Sequence, residues 1–313
     1  DSPNDLFFQI IEKSRSEFFQ RANEIGNDVR DSEAIFVILD VLHHFKEIKP
    51  EFDRVIGLSD LEEFHNELEK RVPREIDMYK KNIEPHISRS TPNAGQVHEV
   101  TSASFLFFKR LLFYRDVVDD ILRIRFESKG RDKLNRSHTF IGKEIRRIIT
   151  KHIIPALKDK QDDYSNLQLG HLFLMNNYFF IFQQLSSQLY IDNIKEHDAQ
   201  DIQKAYKEEY NSFVKESFGD FKNLCQFVDI KKADKQKTSK KGPFRHKKVR
   251  RMVKSRFATF NSRMQTLIDM HKNFVVNDAN IRVELRAAAA EAIVKHYSKL
   301  YNQFKNVPFS NKN

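Results

Sequence analysis

Aspartates at 116, 119 and 120, in the run DVVDD, have the clearest chemical potential in this sequence. All-helical isoprenoid synthases hold magnesium against a pyrophosphate with such spacing, but they clamp the metals with a second acidic motif on a facing helix. The downstream candidates, DD at 162–163 and EEYNS at 208–212, have the wrong pattern. Arg115 and Arg123 stand beside the aspartates at helical spacing, so the run reads as an ion-paired, solvated face. HEVTS at 98–102 begins like a zinc-protease helix, but the position four after His98, where the second ligand must stand, is Ser102. His43 and His44 are adjacent, and neighbours on a helix point about 100° apart, so they do not converge on a metal. The single cysteine, Cys225, excludes a disulfide or thiolate metal site within the chain and suits a reducing compartment, where a lone cysteine acts as a small buried apolar residue. There is no glycine-rich phosphate loop and no nucleophile with a recognisable base. No cofactor and no metal are expected, and the balance shifts from catalysis towards binding or scaffolding.

The remaining chemistry is charge. Between Lys237 and Arg256, in KTSKKGPFRHKKVRRMVKSR, ten of twenty residues are basic and none is acidic. The chain of 313 residues has a net charge of +10, and residues 231–256 alone contribute thirteen Lys/Arg against one Asp. The other 41 basic and 43 acidic residues nearly cancel. This is a near-neutral protein with one basic segment, where a polyanion would be met.

The elements that must position these residues are helices. Gly and Pro number eight each, and apolar residues recur every three or four positions almost throughout. The spacing predicts helices from Ser2 to Gly26, Ser32 to a stop at Pro50, and Ser59 to Ile87 with Pro73 bending or interrupting it. After the polar SRSTPNAG (88–95) a long helix carries Val97, Val100, Phe107, Leu111, Tyr114, Val118 and Ile121 in one repeat. Phe105, Phe108, Leu112 and Phe113 lie off that stripe, so burial on two sides is expected. Further helices are expected at 138–158, 164–190, 195–229, 244–274 and 279–304, with no strand. In FLMNNYFFIF (173–182) two adjacent amides sit among apolar residues and need hydrogen-bond partners on neighbouring elements. No solenoid period is found and no apolar run approaches a membrane span. The expected fold is all-α, an elongated rod of consecutive antiparallel helical bundles, with bundle segments at 1–90 and 91–229, a basic linker at 230–243 and a C-terminal helical segment at 244–313. Because the first residue is Asp, the chain is expected to be a fragment or a processed form.

Several segments carry a resemblance. GQVHEVTSASFLFFKRLL (95–112) resembles the G-x-V-H-E-[LV]-T-S helix start of the seventy-kilodalton subunit of the exocyst, the complex that tethers secretory vesicles to the plasma membrane. PEFDRVIG (50–57), LFLMNNYFFIF (172–182), KSRFATFN (254–261) and FKNVPFSNKN (304–313) are similar in the same order. The resemblance covers roughly nine-tenths of the chain, from about residue 35 onward. It implies the C-terminal part of a helical rod without catalytic activity, in a complex of eight subunits. It implies contacts with other exocyst subunits and a Rho-family GTPase, and binding of phosphatidylinositol 4,5-bisphosphate by basic residues near the C-terminal end. The implied location is the cytoplasm and the inner face of the plasma membrane at sites of exocytosis. Two departures stand out. The family continues past PF-[ST]-K-N with N-P-E-K-Y-I-K-Y, whose lysines belong to the lipid site, whereas here SNKN ends the sequence. The linker is also more basic than the family pattern. Lys254 alone carries over by motif in the linker region.

The residues themselves leave three readings of the basic stretch: an anionic membrane contact, a solvated loop or protein contact, and a nucleic-acid or nuclear-import segment. From Val249, positions Met252, Val253, Phe257, Phe260, Met264 and Leu267 trace one helical face, with Lys247, Lys248, Arg250, Arg251 and Lys254 largely off it. Basic charge at a helix start opposes the helix dipole, a conflict that suits a partner. Base stacking needs interleaved aromatics, and only Phe244 is present, so no specific nucleic acid is expected. The lipid-binding candidates are Lys247, Lys248, Arg250, Arg251, Lys254 and Arg256, with Lys295, Lys299 and Lys305 on the last helix and Lys312 beyond it. The leading reading is a phosphoinositide-binding tether. A pure protein-interaction scaffold in the same complex and, distantly, an isoprenoid synthase-like enzyme are the alternatives.

Overall fold

The computed structural model describes residues 34–55, 59–128, 139–194, 196–225 and 244–305, together with Lys13, Ser16, Glu17 and Gln20. The predicted first helix and the basic linker fall largely outside these residues. The elements are α1 (Ala34–Val55), α2 (Ser59–Arg89), α3 (Glu99–Phe113), α4 (Arg115–Ser128), α5 (Phe140–Ile148), a π-helical turn (Ile149–Ile153), α6 (Ile154–Gln161), α7 (Leu167–Leu185), α8 (Gln188–Ile191), α9 (Glu196–Leu224), α10 (Phe244–His271) and α11 (Ala279–Phe304). No strand occurs among the described residues, and no described helix is long and apolar enough to cross a membrane. The all-α expectation holds.

Proline proves weaker than expected as a helix stop. α1 continues past Pro50, and α2 runs unbroken through Pro73 and Pro85. A mid-helix proline removes one N–H and crowds the preceding turn. The α2 stripe of Phe64, Leu68, Val72, Ile76, Ile83 and Ile87 is buried on both sides of Pro73, so tertiary packing overrides the local preference. Arg125 donates to the Pro73 carbonyl at 3.3 Å. Pro155 acts differently: the π-helical turn ends just before α6, where Pro155 cannot supply the next regular amide bond. The long helix expected after residue 97 is two helices joined at Tyr114, whose N–H donates to Leu111 O (3.0 Å) and whose hydroxyl bonds Asp40. Phe105, Phe108 and Leu112 are buried as expected, but Phe113 is 77% exposed.

The chain divides into two compact units. The first comprises residues 1–90, 99–157 and 183–199, and the second residues 91–98, 158–182 and 200–313. The core of the first joins Ile35, Leu39 and Leu42 of α1 to Val72 and Ile76 of α2, with Phe108, Val118, Leu122, Ile145 and Ile148 from later helices. Gly142 makes a close approach possible, since a Cβ there would lie 1.7 Å from Asn193 O. An ion cluster is enclosed among these helices. Buried Lys80 pairs with buried Glu144 and reaches Asp77 at 2.6 Å, and Arg125 also binds Asp77 at 2.6 Å. Burial pushes the Asp77 carboxyl up, but hydrogen bonds from Lys80 and Arg125 outweigh it and leave it below its ordinary value.

Lys80→Met removes the partner of a carboxylate that stays in the core. A loss of about 3–5 kcal/mol in urea unfolding is expected, and Lys80→Met/Glu144→Leu should recover most of it.

Candidate functional site

The second unit presents the basic C-terminal helices, and a buried amide fixes them there. Asn176 of α7 donates through Nδ2 to Gly95 O (2.7 Å) and Val275 O (2.8 Å), and its Oδ1 accepts from Asn277 N (3.3 Å). Val275 N donates to Ala94 O at 2.9 Å, and Val97 N to Asn277 Oδ1 at 3.2 Å. The segment before α3, the helix α7 and the turn joining α10 to α11 thus meet on one side chain. Asn177 completes the arrangement, accepting from His98 N at 3.1 Å and donating to Phe173 O at 2.8 Å. Gly95 has φ of 72° and lies against Leu169 and Leu172, so its place needs glycine twice over.

This geometry disposes of two chemical decoys. His98 is fully buried, its ring in a T-shaped contact with Phe173. In DVVDD, Asp116 lies 3.6 Å from Arg115 and Asp120 3.0 Å from Arg123, while Asp119 accepts the N–H of Ile141 (3.0 Å) at the start of α5. The three carboxylates therefore serve pairing and capping. His43 and His44 are exposed, and His44 faces Glu47 at 3.5 Å. A group on α9 that no sequence pattern singled out, His197, Asp198 and Asp201, brings ligand atoms within 4.8 Å of one another, but Asp198 is held by Arg146 at 2.7 Å.

α10 docks as its pattern requires. Val253, Phe260 and Leu267 are buried against Phe218, Phe221 and Cys225 of the α9 end and Leu300 and Phe304 of α11, with Met252, Phe257 and Met264 packed at the margin. Arg251 and Lys254 are exposed on α10, and Arg256 is half-buried. Lys247, Lys248 and Arg250 belong to α10 by backbone, with side chains outside the described residues, and Lys312 lies beyond them altogether. Lys295, Lys299 and Lys305 are exposed.

These cations do not share one face. Tyr297 contacts Phe257 and Phe260 of α10 at 6.0 and 5.0 Å between ring centroids. Two residues turn a helix by about 200°, so Lys295 lies on the opposite flank, with Lys299 one turn on. Burial lowers the His296 pKa, and the charges of Lys299, Lys295 and Lys222 lower it further. Burial pushes the Cys225 thiol up, and the charge of Arg256 opposes it. Arg251 and Lys254 are thus exposed on α10, and Lys295 and Lys299 on α11.

The fold is that of an all-helical protein whose buried polar groups position backbone. The chain belongs to the family of the C-terminal part of Exo70, an exocyst complex subunit, and the family model matches residues 1–313. Exocyst complex component 7 of Homo sapiens is 23% identical over 296 residues, covering 90% of this chain and 39% of that protein. Exocyst complex component EXO70A3 of Arabidopsis thaliana is 24% identical over 296 residues, covering 91% and 47%. The chain therefore spans under half the length of these curated relatives. The solved Exo70 of S. cerevisiae shares the fold, with a TM-score of 0.56 and 14% identity over 96% of this chain and 60% of that one. The family is one of structural subunits, not enzymes, and the isoprenoid synthase reading falls.

Two outcomes test how the hairpin of α10 and α11 is held. Asn176→Leu leaves two carbonyls and an amide unpaired, so a loss of about 2–4 kcal/mol is expected, with faster hydrogen exchange at the Val275 amide. His271, at the end of α10, packs on Phe213 and Phe274 and its Nε2 meets Gln168 Oε1 at 3.1 Å. Burial, aided by the charge of Arg263, lowers its pKa to about 4 from 6.5. The unfolded chain takes up the proton first, so stability is full above pH 6.5 and declines as pH falls towards 4. The expected loss is on the order of 2 kcal/mol after allowance for partial exposure, read by urea unfolding across that window and absent in His271→Phe.

Proposed function

We propose that this chain is the C-terminal part of an exocyst subunit that tethers secretory vesicles at the inner face of the plasma membrane. Its segment 244–313, following the linker 230–243, contacts phosphatidylinositol 4,5-bisphosphate, and the rest of the chain meets other exocyst subunits and a Rho-family GTPase. The observation that carries the lipid contact is the outward placement of Arg251 and Lys254 on a helix docked through its opposite face, directly after the most basic stretch of the sequence. Each basic residue near an anionic leaflet contributes about 1 kcal/mol, so a handful suffices for salt-sensitive attachment. The same charge attracts nucleic acid without specificity, and the buried aromatics of α10 give bases nothing to stack on.

A second reading, a protein-interaction scaffold without lipid contact, is favoured by a separate feature of α11. Val283, Ala287, Ala290, Val294 and Tyr301 are exposed, with Val283 63% and Val294 58% accessible, and with Tyr297, whose ring also meets Phe257 and Phe260, they recur at alternating four- and three-residue spacing. That repeat is the pattern of a helix-docking seam.

Vesicle flotation separates the readings. Arg251→Glu/Lys254→Glu should weaken binding to phosphoinositide-containing vesicles by about 30-fold or more at physiological salt, with unchanged thermal unfolding. Equal flotation of variant and parent takes Arg251 and Lys254 out of the lipid contact, and flotation by neither removes the lipid reading and leaves the scaffold.

A further inference from the structure

We propose that the exposed stripe of α11 docks against the same stripe of a second copy of this chain, the two helices running parallel about a two-fold axis. The proposal rests on the reading of that stripe as a helix-docking seam and names its occupant.

α11 carries apolar residues on two sides. Ile281, Leu285, Leu300 and Phe304 are buried in the chain's own core. The stripe from Val283 to Tyr301 points elsewhere and runs for about 27 Å along the helix. Val283 and Val294 are its informative members, because a β-branched residue loses side-chain freedom in a helix and gains nothing there from water. Ala287 and Ala290 between them let a second backbone come close. In a heptad, Val283, Ala290 and Tyr297 take the d positions and Ala287, Val294 and Tyr301 the a positions. The flanks then decide the partner. Glu284 and Glu291 fall at e and Arg286 at g, and all three are exposed. Parallel copies set the g position of each against the e position of the next heptad in the other, so Arg286 meets Glu291 of the other copy, twice by symmetry. Antiparallel copies with the same core layers matched set Glu291 against Glu291 and leave Arg286 without a carboxylate. Arg286 makes no ion pair among the described residues, and Glu291 meets Lys295 at 3.8 Å within α11, both side chains more than half exposed. One helix pair of this length lies at the low end of specific interfaces, near roughly 1,200 Å² or below. The dimer is therefore weak, half-formed at about 10–100 μM, and forms where copies are crowded together. The competing explanation is that RAAAAEA (286–292) is a solvated helix rich in a strong helix former. In that case the chain is a monomer whatever stands at 283 and 294.

Sedimentation velocity of the intact chain over roughly 1–300 μM should show a reversible monomer–dimer equilibrium. Val283→Glu/Val294→Glu should weaken it by about 100-fold or more with the unfolding temperature unchanged. Arg286→Glu should weaken it about 10-fold at low salt. Arg286→Glu/Glu291→Arg, which exchanges the two charges, should restore it, an outcome that a general loss of stability does not produce. Cys225→Ala/Ala290→Cys should be trapped as a disulfide-linked dimer by air oxidation, because parallel copies place the two 290 positions side by side. A monomer at every concentration overturns the proposal, and so does a dimer that Val283→Glu/Val294→Glu leaves intact. Failure of the charge exchange to restore the dimer, or of position 290 to trap it, overturns the parallel arrangement. The seam reading itself is tested apart from self-association, by binding of purified exocyst subunits to the parent and to Val283→Glu/Val294→Glu at a concentration where both are monomers. If the parent never dimerises but the variant loses a subunit, the seam stands and the second copy falls. If the variant keeps every subunit as well, the seam reading falls with it.

Discussion

One side-chain amide, that of Asn176, fixes where the C-terminal helices stand. It joins Gly95 to Val275 and Asn277, two segments about 180 residues apart, from a helix that is otherwise apolar on nearly every side. Apolar contacts are non-directional and tolerate sliding, whereas three hydrogen bonds from one largely buried side chain to backbone admit one register. The segment GQVHEV is shaped to meet this amide: Gly95 adopts a left-handed conformation, Val97 hands its N–H to Asn277, and His98 hands its own to Asn177. What resembles a catalytic sequence is a fitting for the adjacent asparagines.

Polar groups elsewhere follow the same economy. The aspartates of DVVDD pair with neighbouring arginines or cap α5, and Lys80, Glu144, Asp77 and Arg125 close on one another across α2, α4 and α5. A protein of this family meets partners through its outside. Among the described residues, the exposed Arg251 and Lys254 of α10 and the exposed apolar residues of α11 are features that the interior does not account for.

The helices were legible because their stripes have a clear period, and the asparagine pair was legible because two amides in a run of Phe, Leu and Ile demand partners. The identity of those partners was not, since they lie about 80 to 100 residues away. Pro73 was overestimated as a breaker because propensity is local and the burial that overrides it is not. The break at Tyr114, whose hydroxyl meets Asp40 74 residues earlier, left no mark in the 97–121 pattern. The basic candidates on α10 were legible as residues off an apolar face.

Cys225 shows what the docking of α10 does to reactivity. It is the sole thiol, buried among Phe221, Val253, Leu300 and Phe304, with its ionisation pushed up by burial. A buried thiol reacts slowly, and more so with its ionisation suppressed. Its consumption by a small disulfide reagent therefore follows local opening: the rate is the opening rate when attack is fast, and the opening equilibrium constant times the intrinsic attack rate when attack is slow.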